Sequence, residues 1–490
     1  MVQEEIKIDI KSNRAYILGE LTSELVNELD DELSFMVVGA EYSPSYKAGM
    51  WDGKTRILGR DLTIPLGLVQ RVKDFFEKRN KVVIITDYNT YTVDKPTNYM
   101  DKLAAINRSP RPHQMAALQA VLEKKRGIVR VATGGGKTLI VAMIVGEVGK
   151  PAMIYVIGKE LLWQFHSFFQ SVFDQKIGAI GDGIVDIQPI TIASVWTVGQ
   201  AFGMKAKRGL DDDESDNEKA VAQSYHSAIR AAVKDADISI LDECHIGAAE
   251  TIQKIGAAIR SQYTIGLSAS PDRDDQADML IEALFGKIII NISASQLIEQ
   301  GFLVKPYIRF LPVPAIDGLP SNYKQIYNMY ISENKTRNDL IVKAGMRLVE
   351  QKFVTMVLFK EIEHGKRLYK EFKDKINCNM LNGSMNTEYR QKIIDEVKDG
   401  KCNLLLASSI FDIGVDIPLL SGLVLAGGGK SSVRALQRIG RVIRAYPGKD
   451  MAAIVDFADQ AKYLIDHSKI RKSIYKREPG FDVSWPTKKK

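Results

Sequence analysis

The sequence predicts an α/β protein: two parallel-sheet domains in tandem, preceded by a small α+β module. Three observations predict it. From about residue 100, short apolar runs of buried-strand type (GIVRVA, AMIYVIG, ITIAS, ISILDE, YTIGLSAS) alternate with helix-type stretches, the pattern of a parallel sheet covered by helices on both faces. A second such series (TMVLFK, NCNMLNG, CNLLLASS, SGLVLAG, AAIVDF) follows LPVPAIDGLPSN at 311–322, a Pro- and Gly-rich stretch that reads as a linker. The first hundred residues follow neither pattern. These breaks divide the chain at 1–98, 99–310 and 311–490.

In the first module, EIKIDIK alternates Ile6, Ile8 and Ile10 with charges and reads as a half-buried strand. VQRVKDFFEKR has helical spacing, and KVVIIT after it is strand-like. Between them, YKAGMWDGKTRIL carries Asp52-Gly53, a pair that tolerates positive φ and signals a hairpin. Tyr42, Tyr46, Lys47, Trp51, Lys54 and Arg56 combine ring faces with cations, as single-strand nucleic-acid binding requires. A Trp beside a tight turn is equally a core residue.

In the first α/β domain, IVRVATGGGKTLIVAMIV is a strand-type run, a glycine turn, and then Lys137-Thr138 opening an apolar helical stretch. Such a loop, here Thr133, Gly134, Gly135 and Gly136, wraps phosphate with backbone N–H groups, and a helix N-terminus behind it favours the anion. Lys137 is expected to reach the β and γ phosphates and Thr138 to ligate Mg²⁺. The full pattern has glycine where this chain has Val131.

LDECH, residues 241–245, sets two carboxylates, a thiol and an imidazole in a row. A metal cage would have to recruit distant ligands, because the three cysteines, Cys244, Cys378 and Cys402, are far apart and form no C-x-x-C pair. With a phosphate loop upstream, the acids read as a hydrolytic couple beyond the end of a buried strand. Asp242 is expected to hold the Mg²⁺ and Glu243 to orient the attacking water. The polar, mostly acidic KAKRGLDDDESDNEKA, 205–220, reads as a surface insert.

In the second α/β domain, QRIGRVIR places Gln437, Arg438, Arg441 and Arg444 at three- or four-residue spacing on an expected helix. The chain's formal net charge is +7, and its last thirty residues hold nine Lys or Arg against three acids. A polyanionic partner and a frayed, solvated tail both fit that end. With 45% hydrophobic and 26% charged residues, no apolar run near ~18 residues and no signal-type N-terminus, the sequence indicates a cytoplasmic protein without membrane association. If phage-encoded, its place is the host cytoplasm.

Six motifs in order (RPHQ at 111–114, ATGGGKT, DECH, SAS at 268–270, SSIFDIGVDIP at 408–418, and QRIGRVIR) resemble those of the superfamily 2 helicases. The resemblance implies two RecA-like domains, ATP as substrate and nucleic acid as partner. It implies that Gln114 reads the adenine edge, and that Ser268, Ser270 and Arg438 couple hydrolysis to domain movement. Gly414, Asp416 and Gln437 are placed at the nucleotide site. Arg441 and Arg444 would reach the γ-phosphate as arginine fingers, worth ~10³ to 10⁵ in rate. Nucleic-acid contacts are implied at Lys159, Gln164, Gly183, Ser194, Lys360, Gly383 and Arg390. Ser270 and Ser408 stand where threonine is commoner, and both keep a hydroxyl.

YSPSYKAGMWDGKTRIL with IPLGLV is similar to the N-terminal region of the phage UvsW-type DNA helicases, relatives of the XPB group. ASPDRDD and LIEALFGKIIINISASQLIEQGFLVKP fit that DNA-acting branch. The expected function is an ATP-driven DNA helicase that unwinds or branch-migrates forks and junctions. Alternatives are an RNA helicase and a nucleotide-gated clamp that moves nothing. A restriction translocase is disfavoured, with no room for a nuclease or methyltransferase domain.

Overall fold

The computed structural model describes residues 5–204, 225–269, 277–383, 385–408, 417–429 and 432–486. The acidic insert, Ser270, Gly414, Asp416 and Lys488 to Lys490 lie outside these residues. The chain divides into two compact units, one ending at Asn291 and the other running from Ile292 with the turn Ala132–Gly135. Among the described residues no helix is long and apolar enough to cross a membrane.

The N-terminal module is a four-stranded sheet whose apolar face is covered by two helices, Ser23–Glu32 and Val69–Glu77. Strand β1 (Glu5–Lys11) is central: it pairs antiparallel with β2 (Arg14–Leu18) and parallel with β6 (Val82–Asp87), and β5 (Thr63–Pro65) extends β2. Ile6 and Ile8 point inward, as their alternation predicts, onto Val72, Phe75 and Phe76 of the helix Val69–Glu77. The expected tight hairpin at Asp52-Gly53 is not what forms. Two short strands, β3 (Ser34–Met36) and β4 (Lys54–Arg56), pair across a long excursion through Ala40–Tyr42 and Pro44–Lys47. Gly53 does take φ +81°, but it closes the base of that excursion, where a Cβ would press on Met36, Tyr46 and Ala40.

The first α/β sheet contains β7 (Arg126–Val131), β8 (Ala152–Val156), β9 (Ile177–Gly181), β10 (Ile184–Asp186), β11 (Ile190–Ser194), β12 (Ile238–Asp242), β13 (Tyr263–Ser268) and β14 (Ile288–Ile292). The order is β10-β9-β11-β8-β12-β13-β7-β14. The five apolar runs read from the sequence form its parallel centre; β9 extends it in parallel beside β11, and β10 pairs antiparallel with β9 at that edge. β8, β11, β12 and β13 are buried along their whole length, which is why they read as continuous hydrophobic runs rather than alternating ones.

The N-terminal module is part of the same unit. Gly67 lies directly against the helix Asp278–Phe285, where a Cβ would stand 1.9 Å from the Glu282 carbonyl oxygen. Arg71 pairs with Glu282 at 2.6 Å, Lys287 pairs with Asp74, and Ala283 completes the module's own apolar core.

The second α/β sheet is parallel, in the order β17-β18-β16-β19-β20-β15-β21. Its strands are β15 (Lys305–Pro312), β16 (Thr355–Leu358), β17 (Cys378–Leu381), β18 (Leu404–Ala407), β19 (Gly422–Leu425), β20 (Met451–Ala458) and β21 (Asp482–Ser484). Leu311 and Pro312, read as the start of a linker, are thus the end of β15. The basic C-terminal end, as far as it is described, is docked rather than frayed. The helix Leu464–Lys476 buries Arg471 against Asp456 at 2.8 Å, with Tyr475 also donating to Asp456, and β21 adds to the sheet edge.

Candidate active site

The turn after β7 gathers the phosphate-loop residues. Gly134 and Gly136 take φ +91° and +82°, left-handed values that glycine adopts without penalty. The helix Lys137–Val148 starts directly behind them and is buried along most of its length, so its N-terminal N–H groups hold a fixed direction. Gln114, 2% exposed, sits beside this turn: a Cβ on Gly136 would come 2.2 Å from its Nε2. The Gln114 Oε1 accepts the Arg111 N–H at 2.9 Å, capping the helix Pro112–Lys124, so its amide is aimed by the helix start that RPHQ forms.

Asp242 ends β12, and Glu243 comes next at φ 56°. A non-glycine residue there is held by its surroundings. Its neighbour Cys244 is fully buried, its Cβ and Sγ packed closely on Gly266 of β13. The turn brings Glu243 into a hydrogen-bonded ion pair with Lys137, whose Nζ also lies 3.6 Å from Asp242. His245 Nδ1 is 3.3 Å from the other Glu243 oxygen.

The three groups tune one another. Burial pulls the Lys137 ammonium toward neutrality, but the charges of Asp242 and Glu243 outweigh it and hold its pKa above the usual lysine value. Burial also works to raise Glu243, and Lys137 with His245 overcomes it and brings the carboxyl down to about 2. For Asp242 burial wins, and its pKa is raised. Asp242 Oδ1 is buried without a hydrogen-bond partner. An anionic oxygen of this kind beside a glycine turn fits a divalent cation and phosphates.

Ser268 is fully buried at the end of β13. Lys159, Gly183 and Ser194 gather at the ends of neighbouring elements: Lys159 starts the helix Lys159–Val172, Gly183 lies in the turn between β9 and β10, and Ser194 ends β11. Lys159 Nζ is 2.5 Å from Asp182, which also accepts the Trp163 indole N–H at 2.7 Å. Trp163 was not among the residues expected here, although it stands one helical turn after Lys159 on the same face. Gln164 is exposed beside it.

In the second unit, Lys360 is exposed with its Nζ 4.7 Å from the Tyr327 ring centre, Gly383 opens to solvent, and Arg390 lies on the helix Thr387–Lys398. Gln437, Arg438 and Arg441 lie on the helix Ser432–Val442 as expected. Arg444 does not. The helix ends at Val442: the Ile443 N–H still bonds back to Ile439, but its carbonyl accepts from Val304, and Arg444 forms a bridge with Leu303.

The N-terminal cations are matched by carboxylates. Lys54 pairs with Asp31 at 2.7 Å, and Arg56 pairs with Asp30 at 2.7 Å and Asp52 at 2.5 Å. The Trp51 indole N–H donates to the Lys54 carbonyl at 2.8 Å. Tyr42 and Met50, by contrast, are 76% and 77% exposed. Spacing alone could not show this, because Asp30 and Asp31 lie more than twenty residues away in sequence.

Three protein-family models match the chain: "DNA helicase UvsW, N-terminal" over 5–87, "Type III restriction enzyme, res subunit" over 107–273, and "Helicase conserved C-terminal domain" over 337–446. The ATP-dependent DNA helicase uvsW of Enterobacteria phage T4 is 26% identical over 459 residues, covering 89% of this chain and 87% of that protein. The DNA 3'-5' translocase XPB2 of Sulfurisphaera tokodaii is 24% identical, covering 70% of this chain and 80% of that protein. Among solved structures, a Saccharomyces cerevisiae Dbp5 variant bound to RNA and ADP BeF3 aligns with a TM-score of 0.53 at 15% identity, covering 79% of this chain and 92% of that one, a likeness of fold. The chain is homologous to the UvsW-type ATP-dependent DNA helicases and to XPB-type DNA translocases, and carries the helicase domains they share.

Proposed function

We propose that this protein is an ATP-driven DNA helicase that remodels forked or junction DNA. The observation that carries the hydrolytic part is the Lys137–Glu243 ion pair at the carboxyl end of the first sheet, with Asp242 beside it. Support for DNA comes from the relatives, a DNA helicase and a DNA translocase by name.

In the resting site Lys137 neutralises Glu243. A β,γ-phosphate in the glycine turn attracts the ammonium, and Glu243 is released to accept a hydrogen bond from the attacking water and orient it. With Lys137 drawn toward the phosphate, the ion pair that depresses the Glu243 pKa is loosened, which makes the carboxylate a stronger acceptor for that role. Thr138 and Asp242 would hold Mg²⁺, which would neutralise charge on the phosphates. Gln114 would read the adenine, with Gly414, Asp416 and Gln437 also at the nucleotide. Arg441 and Arg444 would stabilise charge on the γ-phosphate, and Ser268, Ser270 and Arg438 would couple its loss to movement. Lys159, Gln164, Gly183, Ser194, Lys360, Gly383 and Arg390 would track the DNA backbone. In the N-terminal module the exposed rings, more than the neutralised Lys54 and Arg56, would meet bases.

ATP turnover tests the reading when measured at one fixed salt without nucleic acid, then with single-stranded DNA, a fork or four-way junction, and matched RNA. Strongest stimulation by branched DNA is expected. Stimulation by RNA alone would move the protein to the RNA helicases, and none by any of them would make it a clamp.

A further inference from the structure

Lys449 makes an arrangement that neither motif nor family similarity assigns. The turn Tyr446-Pro447-Gly448-Lys449, closed by the Lys449 N–H on the Tyr446 carbonyl at 3.0 Å with Gly448 at φ +78°, swings its side chain back beneath the end of the helix Ser432–Val442. The ammonium donates to three backbone carbonyls: Pro418 at 3.1 Å, Leu420 at 2.6 Å and Arg444 at 2.8 Å. An ammonium has three N–H groups, so each has an acceptor, and none of these acceptors is a carboxylate.

Two of the acceptors stand just downstream of the segment that carries Gly414 and Asp416. The third is the backbone of Arg444 itself, just past the end of the helix Ser432–Val442. Leu303 and Val304 hold the other side of this stretch. We propose that Lys449 is a positioning residue for Arg444, tying its backbone to the Ile417–Leu420 turn so that the guanidinium is presented in one orientation for ATP hydrolysis. This rests on the reading of Arg444 as an arginine finger.

Burial, and then the like charge of Arg444, pull the Lys449 pKa down to about 8. Lys305, Tyr446 and Asp450 line the same hollow. The clamp is therefore complete below pH 8, and above it the amine keeps two N–H groups for three carbonyls.

The test uses the full chain in four forms: wild type, Arg444→Ala, Lys449→Met and the double variant, with kcat and KM for ATP measured on saturating DNA. Lys449→Met is expected to lower kcat about 100-fold, the cost of a displacement near 1 Å, with KM changed far less, and to add nothing to Arg444→Ala. If Arg444→Ala turns over normally, the finger reading itself falls. If Arg444→Ala is impaired while Lys449→Met is not, or if the two losses multiply, the Lys449 proposal is overturned and the finger stands. As a second variant, Lys449→Arg stays charged: its kcat should hold its pH 7 value through pH 9 while wild type declines above about 8. The same alkaline decline in both would also overturn the proposal.

Discussion

Glu243 shows how much of this site is decided by one backbone conformation. Its left-handed φ of 56° turns the carboxylate back over the sheet edge onto Lys137, and burial of Cys244 on Gly266 keeps the turn in place. Removing only the charge should therefore leave the geometry intact. Glu243→Gln is expected to bind ATP with near wild-type affinity while turnover falls about 10² to 10⁴-fold, the usual weight of a positioned general base. Nucleotide binding and phosphate release, measured side by side, check the split, and full turnover would remove Glu243 from its role. Lys137→Ala should lose the affinity itself. At Gly136 both space and φ forbid a side chain, so Gly136→Ala should displace Gln114 and weaken nucleotide binding with the helix content unchanged by circular dichroism. Lys54 and Arg56 carry the opposite expectation. Because Asp31, Asp30 and Asp52 already hold them, Lys54→Ala should flatten the salt dependence of DNA binding by much less than the ~0.9 per phosphate of a true backbone contact.

The helix Asp278–Phe285 links two parts of the first unit. On one side Phe285 packs against Gly266, beside the Cys244 turn, and on the other Glu282 and Ala283 meet Gly67 and Arg71 of the N-terminal module. A methyl group at Gly67 has nowhere to go, and Gly67→Ala should destabilise the protein by about 1 to 3 kcal/mol, the range for overpacking. A melting curve of that variant reads this directly. None of it was legible in the sequence, because IPLGLV carries no sign of what its glycine faces. The central strands were legible for a simple reason: they are buried on both faces, and burial writes itself as an apolar run. Strands that missed that signal are at an edge, half-exposed, or interrupted by glycine. β15 buries every second residue and has Pro near each end, β14 is mostly partly exposed, and β9 contains two glycines. The same limit applied at Arg444. Three-residue spacing placed it on a helix, whereas pairing with Leu303, far away in sequence, takes it off.

At the scale of the molecule, charge and stability are distributed differently from what the sequence suggested. The C-terminal end looked like a cationic tail, but Arg471 is an internal partner of Asp456, and Tyr475 shares that carboxylate. A truncation at residue 460 would strip Asp456 of Arg471 and Tyr475 and uncover the face that the helix Leu464–Lys476 covers, and would confuse DNA affinity with unfolding. The N-terminal module presents the converse case. Its sequence pattern marks it off from the first α/β domain, yet its core closes only with Ala283, and Arg71 and Asp74 find partners at Glu282 and Lys287. A piece of under a hundred residues buries a small share of its surface and has little stability to spare. Residues 1–98 expressed alone should therefore melt at a lower temperature and less cooperatively than residues 1–292, and should bind a hydrophobic dye that the longer piece excludes. If the short piece melts as sharply and as high as the long one, the contacts across Gly67 and Glu282 are incidental to its folding. The module would then be an independent domain tethered to the motor rather than part of its first unit.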